Sequence, residues 1–258
     1  MAAHLSPVVP ESGLIELRQA SERGAFTNHW LQARFSFSFG DWRRPGRDRF
    51  GPLCALNEDI VQPGAGFDMH PHHDLDIFML PLTGTVEHRD SRGHVARVRP
   101  GQVQRMFAGS GIRHSQMNAS YTELDHHLQI WLTPRERGGT PRVEARSFDL
   151  FARPGAWCPV ISPDGREGSF VFDDASSMAT TFLREGETTT WQPREGSRIY
   201  LHTIDGSAVA HVGDAGQETP LGAGDALALH RSEARPLRLQ ARRAATRFLV
   251  FEFGPGAP

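Results

Sequence analysis

Apolar and polar positions alternate along most of the patterned stretches of this chain, and the period is two. Phe35, Phe37 and Phe39 alternate with Ser36 and Ser38, and Leu128, Ile130 and Leu132 alternate with Gln129 and Trp131. Val95, Arg97 and Arg99 alternate with Ala96 and Val98, and the run Phe248 to Phe253 reads as a strand. Side chains two apart share one face of a strand, so this is a strand pattern. Turn formers separate the runs: Arg43-Arg44-Pro45-Gly46, Asp90-Ser91-Arg92-Gly93, Pro100-Gly101, Ser162-Pro163-Asp164-Gly165 and Gly222-Ala223-Gly224-Asp225. No long amphipathic helix competes with them. Short strands parted by glycine and proline turns predict an all-β sandwich or barrel.

A polar, Gly- and Pro-rich stretch from Thr133 to Pro141 follows a strong strand and predicts a boundary. It gives an N-terminal domain over residues 1–133 and a C-terminal domain over residues 141–258, either able to borrow a strand from the other half. Arg99-Pro100-Gly101-Gln102-Val103 recurs loosely as Gly222-Ala223-Gly224-Asp225-Ala226, as a duplicated domain would show.

Composition narrows the function classes. Apolar residues make up 38% and charged residues 22%, enough for a packed core and too few charges for a disordered chain. The net charge of −2 and the lack of a basic run exclude a general nucleic-acid binder. All 28 cationic side chains are arginine, which excludes Schiff-base and P-loop chemistry, since both need lysine. Cys54 and Cys158 make neither a disulfide framework nor a cysteine zinc site. No run of about 18 apolar residues and no signal peptide is visible, so a cytoplasmic, membrane-free protein is expected.

Histidine carries the chemistry. Eight of the 13 histidines fall between positions 70 and 127. In His70-Pro71-His72 the two imidazoles share one face of a strand and can reach one metal ion. His114, after a glycine turn, is the candidate third ligand. Three imidazoles suit iron, nickel, copper, zinc or manganese. His126 and His127 point to opposite faces, so at most one faces a cavity. His73, His88 and His94 are expected at strand ends or turns. His202, His211 and His230 lack the His-x-His spacing, which predicts a metal-free C-terminal domain.

The spacing Gly64, His70-Pro71-His72, Asp76, Gly84 resembles the first cupin motif, and Gly111, His114, Asn118 resembles the second. The segments Gly64-Ala65-Gly66-Phe67, Gly84 to Ser91 and Gly109 to Ser115 together resemble the pirin family. His29-Trp30-Leu31 and Gln129-Ile130-Trp131 fit as well. The resemblance implies two stacked cupin (jelly-roll) domains, with one mononuclear metal, usually iron, in the first. It is closest to bacterial pirin-like quercetin 2,3-dioxygenases.

Family ligands are three histidines and a glutamate two residues past the third. The histidines carry over to His70, His72 and His114, but the glutamate position holds Gln116. An amide offers a neutral carbonyl oxygen and cannot act as a base near neutral pH. Gln116 is therefore expected to ligate weakly or to orient substrate. Asp76, His126 and His127 are the alternative ligand or base candidates. The resemblance implies a dioxygenase that joins O₂ to a flavonol-like aromatic, with turnover weakened at position 116 and raised by Gln116→Glu. The alternatives are a metal-dependent binding or redox-sensing module for a protein partner, and a small-molecule isomerase or lyase on the same barrel.

Overall fold

A computed structural model describes residues 15–173, 175–213, 218–243 and 245–255. Among these residues the regular structure is β-strand, apart from the single 3-10 turns Ala20–Glu22 and Arg166–Gly168. No described helix is long and apolar enough to cross a membrane. The chain forms two compact units. One comprises residues 21–152 and 158–173, and the other residues 15–20, 153–157 and the described part of 175–255.

In the first unit a seven-stranded antiparallel sheet runs in the order Arg142–Ser147, Gln102–Phe107, Asp76–Thr83, Asp125–Leu132, Leu53–Val61, Leu31–Phe35, Gly24–Thr27. A second sheet runs Gly66–His72, Ile112–Asn118, Val86–Asp90, Val95–Val98. Asp76–Thr83 is buried on both faces. Met79 packs with Val86 and Val98 inside the barrel, whereas Phe78 meets Phe170 on the outside at 5.7 Å between ring centroids. The strand Asp125–Leu132 explains why its alternate positions read as polar. Gln129 and His127 are buried along with the apolar Leu128 between them, because their face lines the barrel interior and not solvent.

The second unit repeats the plan. Ile15–Arg18, Ala226–Leu229, Arg198–Asp205, Thr246–Phe253 and Ser176–Leu183 lie side by side in one sheet. Thr188–Trp191, Leu237–Ala241, Ser207–Val212 and Thr219–Gly222 form the other. Leu183, Leu201, Leu227, Leu237 and Phe248 belong to its core.

The compact units differ in extent from the expected domains 1–133 and 141–258. The Thr133–Pro141 stretch is a turn within the first unit, where Gly138 N donates to Asp74 Oδ1 at 2.7 Å and Ser110 N to the Gly139 carbonyl at 2.8 Å. Beyond it, Arg142–Ser147 pairs with Gln102–Phe107 and covers that sheet edge. Ile15–Arg18 in turn pairs with Ala226–Leu229 of the second unit. The strand read over Phe35 to Phe39 ends at Phe35. Phe37 is still fully buried, but Phe39 bridges back to Trp42 around the turn.

Candidate metal centre and its cavity

The His-x-His segment lies on Gly66–His72, paired antiparallel with Ile112–Asn118, so that His70 stands opposite His114. Close approach of these strands depends on Gly66. A Cβ there would stand 2.2 Å from the Gln116 carbonyl oxygen, a contact no side chain tolerates. The register shifts between His114 and Gln116 at the same place. Ring centroids lie 4.8 Å apart for His70 and His72, 4.5 Å for His70 and His114, and 5.0 Å for His72 and His114. One nitrogen from each ring falls within 4.8 Å of the others.

Hydrogen bonds fix which nitrogens face inward. His70 Nδ1 lies 2.6 Å from the Asp68 carbonyl oxygen, which can only accept. Nδ1 therefore carries the proton and Nε2 the free lone pair. Behind His114 stand His88 and Asp90. His88 Nε2 is 3.3 Å from Asp90 Oδ2, and His88 Nδ1 is 3.3 Å from His114 Nδ1. With Asp90 as acceptor, His88 donates through Nε2 and accepts through Nδ1, so His114 donates through Nδ1. That leaves His114 Nε2 as a lone pair, and among the described residues this buried atom has no hydrogen-bond partner. Burial, and then the charges of His70 and His73, push the His72 pKa down to about 4. Burial and the neighbouring imidazoles depress His114 further. Both rings are neutral near pH 7, the form that binds metals. An orphaned inward nitrogen within a three-imidazole donor set fits a first-row divalent ion.

A cavity opens beside the triad. Leu31, Ala33, Phe35, Phe39, Phe67 and Trp131 give it apolar walls; His70 and His72 reach it, and Asn57, Asp59, Gln116 and Gln129 add polar groups. Trp131 packs edge-on against His72 at 4.9 Å and against Phe39 at 5.1 Å. Gln116 is buried, and its Oε1 accepts from Gln129 Nε2 at 2.7 Å.

Other candidates lie elsewhere. Asp76 is on the outer face of its strand, where Arg105 grips both carboxylate oxygens, the shortest contact being 2.6 Å. It belongs with Arg105, Arg142 and Glu144 around a different cavity, so its proposed ligand role fails by strand parity. His126 turns outward to Glu58 Oε1 at 3.0 Å, whereas His127 turns inward and is buried against Asp125. His73 and His94 are largely exposed beside Asp74 and Asp90. His88 corrects its expectation. It sits in mid-strand, 0% exposed, because Val86–Asp90 pairs with Ile112–Asn118 on the side away from Gly66–His72. Asn57 and Asp59 were missed, since Asn57-Glu58-Asp59 reads as a solvent-facing polar run.

A barrel with a His-x-His strand and a third histidine on its neighbour, in a chain with a second barrel of like strand order, is a two-domain cupin. The chain belongs to the pirin family: residues 16–132 match pirin, and residues 159–253 match the family described as quercetinase C-terminal cupin domain. Quercetin 2,3-dioxygenase of Escherichia coli K12 is 39% identical over 194 residues, covering 75% of this chain and 83% of that one. A pirin-like protein of Caulobacter vibrioides is 33% identical over 190 residues, covering 73% and 81%. The crystal structure of the bacterial pirin YhhW of Escherichia coli in complex with nickel(II) superposes with a TM-score of 0.83 at 35% identity, covering 93% of this chain and 99% of that one.

Proposed function

We propose that this chain is a metal-dependent dioxygenase of flavonol-like aromatics that holds one divalent first-row metal, iron or nickel foremost, on His70, His72 and His114, with Gln116 beside them. The reading is carried by three converging imidazoles, two of which, His70 and His72, reach the wall of an apolar cavity. The relatives' names supply the substrate class. When bound, such a metal supplies Lewis acidity toward the ligand's oxygens and a route for reaction with O₂.

The chain's own residues do the rest. Phe39, Phe67 and Trp131 offer aromatic surface to a flat ring system and exclude water around it. The linked amides of Gln116 and Gln129 offer hydrogen bonds that orient ligand oxygens. Because Gln116 is neutral, the site keeps one more unit of positive charge than a carboxylate would leave, which favours an anionic ligand.

Elemental analysis of protein purified without added metal, followed by oxygen-electrode assays with quercetin, tests the reading. One metal per chain is expected, with quercetin-dependent oxygen uptake that His114→Ala abolishes. Metal-loaded protein that consumes no oxygen with quercetin overturns it.

A further inference from the structure

A flavonol hydroxyl must lose its proton before the ring reacts with oxygen, and the Gln116 amide cannot take it. The cavity holds another group that can. We propose that Asp59 is the proton acceptor of this cavity, a catalytic carboxylate that takes the hydroxyl proton of a bound phenolic or enolic ligand in place of the carboxylate that position 116 lacks. The inference rests on the flavonol reading above.

Strand parity puts Asp59 there. On Leu53–Val61 the positions Ala55, Asn57, Asp59 and Val61 share the inward face, whereas Glu58 points the other way to Arg23 and His126. Asp59 is 3% exposed and is the one carboxylate among the cavity-lining residues described. Its cross-strand neighbour is His127. His127 Nδ1 lies 2.8 Å from Asp125 Oδ2, and its Nε2 lies 3.7 Å from Asp59 Oδ2, just beyond hydrogen-bond reach. Among the described residues the buried His127 Nε2 has no hydrogen-bond partner.

This carboxylate–imidazole–carboxylate row leads away from the cavity. The ligand's O–H bond breaks, its electron pair stays on the ligand oxygen, and a new O–H bond forms on Asp59. His127 and Asp125 are positioning residues, acting only through Asp59.

The electrostatics agree. Burial raises the Asp59 pKa to about 6, opposed by the charge of His127, reinforced by Asp125 and Glu58, and opposed again by Arg23. A base with a pKa near the working pH is both deprotonated and able to hold a proton.

The test uses the full-length, metal-loaded protein with quercetin under anaerobic conditions. Absorption spectra distinguish neutral from ionised bound quercetin, and tryptophan fluorescence reports binding. The native protein is expected to bind quercetin as the anion at pH 7. Asp59→Asn is expected to bind with affinity within about threefold, to lose most of the anion band, and to lose aerobic kcat by about 10²-fold or more. Asp59→Glu should restore part of the band. Should Asp59→Asn not fold, infrared difference spectra of native protein carrying carbon-13-labelled aspartate give the answer, because quercetin binding should protonate one aspartate. An unchanged anion band in Asp59→Asn, or no aspartate protonated in the native protein, overturns the role of Asp59 alone. Failure of the native protein to bind quercetin at all overturns the flavonol reading and this inference with it.

Discussion

Gln129 Nε2 donates to Gln116 Oε1 at 2.7 Å, so the one atom of Gln116 able to ligate a metal already serves a second amide. A carboxylate at 116 would accept the same hydrogen bond and still present a second, charged oxygen. Gln116→Glu is therefore expected to tighten metal binding by about 10-fold or more, comparable to a strong second-shell effect. Competition with a chromogenic chelator reads it. Equal affinity in the two proteins would mean that position 116 does not bear on the metal.

His88 holds His114 in the tautomer that leaves Nε2 free. Replacing His88 with Leu removes that acceptor and leaves His114 Nδ1–H buried without a partner. Metal affinity should drop by about 10- to 100-fold, with the stoichiometry restored at high metal concentration. Isothermal titration of the metal-stripped protein measures both quantities. His94→Leu serves as the control, since His94 is exposed and lies across Asp90 from the triad.

Asp59 also makes stability depend on pH. Its folded pKa, about 6, lies above the ordinary carboxylate value because of burial, which the charge of His127 only partly offsets. Between about pH 4 and pH 6 the folded chain binds more protons at this group than the unfolded chain, so stability falls as pH rises through that window and stays low above it. The cost at neutral pH is on the order of 3 kcal/mol. Asp59→Asn removes the charge, so its melting temperature should exceed that of the native protein at pH 8 and approach it at pH 4.5. Scanning calorimetry at the two pH values checks this. A gap that widens on acidification would contradict the buried-carboxylate account.

His70 and His72 were legible because their geometry is local. Two residues apart on a strand means one face, and the glycine turn before His114 marks where the next strand starts. His88 and Asp59 were illegible because their burial is decided by pairing. Val86–Asp90 and Leu53–Val61 meet their partners across long stretches of sequence, and a polar residue facing a filled barrel reads like one facing water. The Asp76 alternative failed for a related reason. The motif spacing brings Asp76 near the triad in sequence, but the strand turns it outward to Arg105. At Thr133–Pro141, glycine and proline announced a turn without saying where the chain goes after it.

Ile15–Arg18 closes an edge of the second unit against Ala226–Leu229. In order of synthesis, the earliest described strand thus waits for one of the last. More than 200 residues must be made before it can pair, although the first barrel can close meanwhile around its own strands. A fragment starting after the Thr133–Pro141 turn would leave that sheet with an open, bondable rim, inviting a second copy to supply the missing strand.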